Sequence, residues 1–314
     1  MKPYTPLIIF IFLTVALSSC MKENWDDCYE VFLAFEYINP GYTFPETVEE
    51  LELLFYNEAD ELVYNLTYTR SALNAGGWKA NITYDVTRPG NYTVVALVNY
   101  HTENPLTLTS KENKEKFLAE IKYDSERWVH YTVTDSWHGI YDLEIHKNEG
   151  QTIVHTVPLS KNTNTIKLIV EFEEEADAKN LNYYRNYLIG ENARINWNYT
   201  IPAHEPVYYK HERSSYGNGE AIIQDYLKTM RIHTDGNLKL HMEFVESGIP
   251  YSQVVDIPAT LAHVKNDEGT FLYDTNEKLE LHDYFEIKVR INSEFVIVAI
   301  TVNGWYLVTG EEEV

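Results

Sequence analysis

The sequence predicts an all-β protein built as two tandem β-sandwich domains with small helical insertions, and three observations predict it. Apolar residues recur at every second position through most of the chain, Asn, Pro and Gly punctuate the runs, and helical periodicity is sparse. In the first run, YEVFLAFEY, Val31, Leu33, Phe35 and Tyr37 fall on one face, because successive side chains of a strand alternate sides. Asn39-Pro40-Gly41 then turns the chain. After a second turn at Pro89-Gly90-Asn91, the run YTVVALVNY (92–100) is apolar on both sides and is expected to lie centrally in a sheet. SKENKEKFLAEIKYD (110–124) reads as the best helix, with Phe117, Leu118 and Ile121 as a stripe on a charged background.

The second half repeats the pattern. Following Thr234-Asp235-Gly236-Asn237, LKLHMEFVE places Leu238, Leu240, Met242 and Phe244 on one face, and a short helix is expected over 276–281. In FEIKVRI, Phe285, Ile287, Val289 and Ile291 alternate with Glu286, Lys288, Arg290 and Asn292. A one-residue slip would expose that whole apolar face. Beyond Asn292-Ser293, EFVIVAITV (294–302) is again apolar on both sides and is expected to be central. These strands are read as mostly antiparallel. The polar stretch PLSKNTN (158–164), between TIVHTV and TIKLIVEF, is the expected joint between domains at 28–159 and 160–314, and limited proteolysis is expected to cut within 160–164.

The N-terminus carries Lys2, an apolar run from Leu7 to Leu17, and then Ser18, Ser19 and Cys20. A bilayer-spanning helix needs about 20 apolar residues, so this shorter run with a small-residue exit reads as a signal peptide over 1–19. LSSC resembles a bacterial lipobox, which would make Cys20 the lipidated first residue of the mature chain and 20–27 its tether. The competing reading is an ordinary secretory signal with a chance cysteine at its end. With Cys20 acylated, Cys28 is the one remaining thiol. One thiol makes neither an intramolecular disulfide nor a thiolate zinc site, which needs about four ligands, so Cys28 is expected as a small buried hydrophobe at the first strand.

Acidic residues outnumber basic ones 48 to 25, for a net charge of −23. That balance opposes nucleic-acid partners and anionic membrane surfaces, both of which need clustered Lys and Arg. With 44% hydrophobic residues and a mature length of 295, the chain can bury the cores of two ordinary domains. It contains no GxSxG, HExxH, Walker loop or dinucleotide fingerprint. No enzyme activity, cofactor or catalytic metal is therefore expected. His138, His146, His155, His204 and His211 are too widely spaced for a strand-borne metal site, and His241 reads as a surface residue. Acidic runs such as EFEEE (171–175) read as solvated strand ends. Trp78, Trp128, Trp137, Trp197 and Trp305 suit either core packing or a sugar-stacking platform.

Several stretches, taken in order, resemble the fimbrial anchor lipoproteins of Bacteroidales, of the FimB and minor-fimbria anchor type. They are the LSSC lipobox, DDCYEVFLAFEY, VEELELLFYNEADELV, RPGNYTVVALVNY, LHDYFEIKVRI and AITVNGWYLV, the last with Asn303-Gly304-Trp305. Glu23, Asp26 and Asp27 after Cys20 are similar to the surface-export signal of Bacteroidetes lipoproteins. The chain departs from the family at ALVNY, where a Gly-Asn or Trp-Gly-Asn is common. The resemblance implies transthyretin-like sandwiches and a non-enzymatic subunit that attaches a fimbrial shaft to the outer membrane at the cell surface and limits its length. It also implies lipid on Cys20 and shaft subunits joined by strand addition to a sheet edge or groove. Two alternatives share the lipobox: a surface glycan-binding lipoprotein of a polysaccharide-utilisation system, and a fimbrial accessory or tip adhesin. Neighbouring fimbrial genes, rather than a transporter and glycoside hydrolases, would favour the anchor.

Overall fold

A computed structural model describes residues 30–83, 85–86, 88–100, 106–130, 133–146, 152–173, 181–215 and 222–307. Its elements, in chain order, begin with β1 (Glu30–Tyr37), α1 (Phe44–Thr47), β2 (Glu50–Tyr56), β3 (Leu62–Thr69), α2 (Arg70–Ala75) and β4 (Lys79–Asn81). They continue with β5 (Gly90–Val98), β6 (Leu106–Thr109), β7 (Leu118–Ile121), β8 (Trp128–Val129), β9 (Trp137–Ile145) and β10 (Thr152–Lys161). The second half holds β11 (Thr163–Phe172), β12 (Leu181–Gly190), β13 (Arg194–Asn196), β14 (Val207–Ser215), β15 (Ile222–Met230) and β16 (Leu238–Glu246). It ends with β17 (Ile249–Asp256), α3 (Ile257–Ala262), α4 (Asn276–Glu280), β18 (Tyr284–Ile291), β19 (Ile297–Val302) and β20 (Trp305–Leu307). The fold is all-β, as expected.

Alternation decides which face of each strand is buried. Val31, Leu33, Phe35 and Tyr37 point inward from β1, and Phe285, Ile287, Val289 and Ile291 do so from β18. Each such side chain contributes about 1.5–3 kcal/mol by leaving water. The first sheet runs β3-β2-β5-β9-β10-β1-β4 and folds back on itself to make a sandwich. Its inner face packs Leu33 and Val157 against Leu53, Phe55, Val94 and Leu143. β2 and β5 are buried on both sides, because Leu54, Tyr56, Val95 and Leu97 join a second core. The central position expected for 92–100 is the one observed.

The second sheet runs β17-β16-β12-β14-β15-β11-β18-β19-β20 and bends at β14. Val207 to Lys210 pair with β12, whereas His211 and then Arg213 to Ser215 pair with β15, with a register shift between His211 and Arg213. Most pairs are antiparallel, but β1 runs parallel to β10, β11 parallel to β18, and β8 parallel to β14. Two short strands stitch the halves together. β13 pairs with β7 in a small sheet with β6, and β8 joins the second sheet beside β14.

Three expectations need correction. The stretch 110–124 is a 3-10 turn over Lys114–Lys116 followed by β7, and only α4 answers to the helices expected. Phe117, Ala119 and Ile121 are all buried, a period of two that suits a strand, and β7 is held by partners on both sides. β19 is not central. It lies next to the three-residue β20 at the end of the described sheet, and Val296 and Val298 nearby are 46% and 39% exposed. Finally, the chain crosses between sheets at Asn162, inside the expected joint, but the joint is no exposed linker. Ser160, Lys161, Asn162, Thr163 and Asn164 are all at most 5% exposed. Native-state trypsin digestion should therefore leave the Lys161–Asn162 bond intact, a result that mass spectrometry of the fragments would check.

Candidate functional site

The sheet of the first sandwich opens along one seam. Among the described residues, β9 and β10 pair only through Gly139–Leu159, His138–Ser160 and Trp137–Lys161. Past that point β10 turns away to pair with β1. Two residues permit this corner. Pro158 has no N–H to give to a ladder, and Gly139 lets the strands touch, since a Cβ there would lie 2.6 Å from the Pro158 carbonyl oxygen. Among the described residues, 140–145 of β9 are left paired on the β5 side alone, and 152–158 of β10 on the β1 side alone. The Tyr141 hydroxyl and His155 Nδ1, 3.0 Å apart, bridge the gap, and Val154 beside it is 46% exposed. The opposite seam differs: Tyr68 donates to the Asn81 carbonyl, and Leu73 of α2 and Trp78 pack into the core there. β17 ends the second sheet and, among the described residues, is a second unpaired edge, with Ile249 and Val254 about half exposed.

Between the sandwiches lies a buried polar hub, and the joint residues build it. The Lys161 ammonium contacts Asp283 at 2.6 Å and Asp135 at 3.0 Å, donates to the Tyr42 hydroxyl at 2.9 Å, and sits 4.6 Å from the Tyr42 ring centre. Asp135 also pairs with Lys228. Arg231, 3% exposed, pairs with Glu280, donates to the Lys161 carbonyl and to Ser160, and lies over the Tyr199 ring. Asn39 accepts from the Lys161 amide and donates to the Glu280 carbonyl, while Asn164 accepts from the Ile232 amide. The strands alone would leave these polar groups buried without partners, at a cost of about 1–3 kcal/mol each.

The hub's charges set its pH limits. Burial pushes the Asp135 carboxyl up, but Lys161 and Lys228 together outweigh it and hold it below the usual range. Burial also works against the Lys161 ammonium, yet Asp135 and Asp283 raise it above the usual lysine range. His138, wholly buried, is pushed down to about 3 by burial and by Arg231, against the Trp197 backbone. His233 is pushed down to about 4, chiefly by burial and then by Arg231. For both histidines the unfolded chain binds the proton more readily. Stability should therefore fall as pH drops below about 6.5, each group contributing a slope of up to about 1.4 kcal/mol per pH unit. Urea midpoints at pH 7, 6 and 5 test this, and His138→Gln should reduce the slope.

Cys20 and Cys28 lie outside the described residues, so their expected roles have no structural counterpart. Among the described residues no cluster of three or more His, Cys, Asp or Glu could hold a metal, and no helix is long and apolar enough to cross a membrane. His204 accepts from the Ala193 amide, and His241 is half-buried and stacked on Tyr187. The structure does not gather the five tryptophans. Trp137 is core, whereas Trp78, Trp128, Trp197 and Trp305 are half-exposed at separate places. Sequence reasoning missed the hub altogether. One signal was present: a run of Ser, Lys, Asn and Thr that lacks the glycines of a flexible linker.

The family of fimbrillin-A associated anchor proteins Mfa1 and Mfa2 matches residues 25–311. Among solved structures, a Bacteroides thetaiotaomicron protein provisionally named for polysaccharide binding is similar at TM-score 0.74 and 18% identity, covering 90% of this chain and 99% of its own. A provisionally named adhesin from Bacteroides ovatus gives 0.71 and 18%, covering 90% and 96%. The fimbrial anchor protein Mfa2 from Porphyromonas gingivalis gives 0.67 and 17%, covering 88% and 98%. At such identities these likenesses speak to the fold alone. No curated protein sequence matches the chain. The family match spans nearly the whole chain, and with it the chain belongs to the Mfa2 family of fimbrillin-A associated anchor proteins, the fimbrial anchor subunits.

Proposed function

We propose that the protein is a non-enzymatic anchor, held in the outer membrane by lipid on Cys20, that captures fimbrial shaft subunits by strand addition and limits shaft growth. Residues 28–159 and 160–314 would be its two domains, joined rigidly by the buried hub. Family membership supports the fimbrial setting and the association with the cell surface. The lipobox and the short apolar leader support the lipid.

One observation carries the mode of capture, the open seam between β9 and β10. Other exposed edges of the described sheets offer an incoming strand one row of backbone partners, but this seam offers two rows facing each other, over 140–145 and 152–158. Each backbone hydrogen bond gained there contributes about 0.5–1.5 kcal/mol net, and strand addition derives its affinity from such bonds.

A charge placed on an edge discourages strand pairing. Val154→Lys adds one at a half-exposed position and should leave the thermal midpoint unchanged. Binding of purified shaft subunit to the immobilised protein should weaken at least about tenfold, a loss of about 1.4 kcal/mol. Undiminished binding in a folded Val154→Lys would move the acceptor edge elsewhere, with β17 the next to test.

A further inference from the structure

The outer face of the second sandwich carries side chains for which shaft capture has no use. Trp128, Tyr208, Tyr187 and His241 run in a row across β8, β14, β12 and β16, all half-exposed. Ring centres are 4.8 Å apart for Trp128 and Tyr208, 5.6 Å for Trp128 and Tyr187, and 5.3 Å for Tyr187 and His241. Cross-strand aromatic pairing is reason enough for the rings. It does not account for the cations among them.

The Arg185 guanidinium carbon lies 4.7 Å from the Trp128 ring centre and 4.9 Å from that of Tyr187. The Lys210 ammonium is 5.3 Å from the Trp128 ring and 3.0 Å from His130 Nδ1. Among the described residues neither cation forms an ion pair with a carboxylate. Glu243 stands opposite Arg185 in register, but it accepts the Tyr187 hydroxyl at 2.8 Å. Both cations thus lie against one Trp128 ring, and the carboxylate beyond Lys210, that of Asp124, is taken by His130.

Backbone strain also serves this face. Arg127 adopts a φ of +67°, a left-handed conformation costly for a residue with a side chain. Its side chain bonds the Pro206 carbonyl and Glu205, and its carbonyl accepts the Tyr208 amide. β8 is only two residues long, and this clamp holds the Trp128 indole beside Tyr208.

From these observations we propose that the face binds an acidic glycan, with sugar rings against Trp128 and Tyr208 and a carboxylate taken by Arg185 and Lys210. Aromatic rings suit the apolar faces of pyranoses, and a guanidinium braced on two rings is preorganised for a carboxylate. A neutral sugar would leave both cations unmatched. The protein's overall negative charge is no bar to a short ligand, because charges beyond about 8 Å are screened at physiological ionic strength. The proposal is independent of the anchor reading.

The test is calorimetric titration of the full mature chain with trigalacturonate, 3′-sialyllactose and, as a neutral control, maltotriose. At least one acidic sugar should bind about tenfold or more tightly than maltotriose, more weakly as salt is raised. Arg185→Gln and Lys210→Gln should each weaken that binding about tenfold, the effect of losing a charge-assisted hydrogen bond. Lys210 is exposed, so its variant keeps the test open should Arg185→Gln misfold. Equal affinity for acidic and neutral sugars, no binding of either acidic sugar, or full binding in folded variants would each overturn the proposal. So would variants that lose shaft subunit while sugar binding is unchanged, since the face would then be a protein interface.

Discussion

Replacing Cys20 by serine in the native host should release this polypeptide from the membrane and, with it, fimbriae into the culture medium. The expectation follows from the lipobox LSSC and from membership of a fimbrial anchor family. Each methylene of an acyl chain buried in the bilayer contributes about 0.8 kcal/mol, and two or more chains hold a protein stably where one holds it marginally. A serine at this position offers no thiol for the lipid. No described helix is able to span the membrane in its place. Cys28→Ser should leave attachment intact, changing at most local packing near β1. Cell fractionation, with blots for this protein and for the shaft subunit, separates the outcomes. Membrane retention in Cys20→Ser would refute lipidation. Release of this protein with shafts still on the cell would refute the anchor role and leave the lipoprotein reading standing.

Lys161→Met should produce the largest loss of stability, about 3 kcal/mol. The Lys161 side chain is 3% exposed and is shared by Asp135, Asp283 and Tyr42. Removing one partner of a buried charge pair costs about 3–5 kcal/mol, because the other is left uncompensated. The lower figure applies, since Asp135 keeps Lys228, Asp283 keeps the Tyr42 hydroxyl, and Asp135 is partly exposed. Methionine preserves the length and most of the apolar stem, so the loss reports on the charge. The double variant Lys161→Met with Asp283→Asn should recover part of it, because the stranded carboxylate is gone. Chemical denaturation of the parent and both variants measures this, and a loss below about 1 kcal/mol for the single variant would mean that the hub does not hold the halves together. The linkage signs bound the pH range. Asp135, depressed, gives its stability above the ordinary carboxyl pKa of about 3.9 and loses it as pH falls through the folded value. Lys161, raised, gives its stability below about 10.4 and loses it as pH climbs through the folded value.

The sequence by itself determined the all-β class, the buried faces of β1, β16 and β18, and the family. Alternation in YEVFLAFEY, LKLHMEFVE and FEIKVRI is local information, because the side on which a residue points depends only on its parity within the strand. Turn residues and the short helix at 276–281 are local in the same sense. Partner choice is not. That β1 and β10 run parallel, that β7 finds β13 some seventy positions away, and that β8 crosses to β14 follow from how the sheets close in space. SKENKEKFLAEIKYD shows the consequence. Its apolar residues suit a helical stripe or a short strand equally well, and the decision fell to two neighbours that could pair with a strand. The same holds for 158–164: polarity in a chain signals solvent only when no buried partner exists, and here the partners include Arg231 and Asp283, which are distant in the chain, as well as the nearer Asp135. Only the tertiary structure brings them close enough to bond those groups, and so only it could turn an expected linker into a buried polar hub.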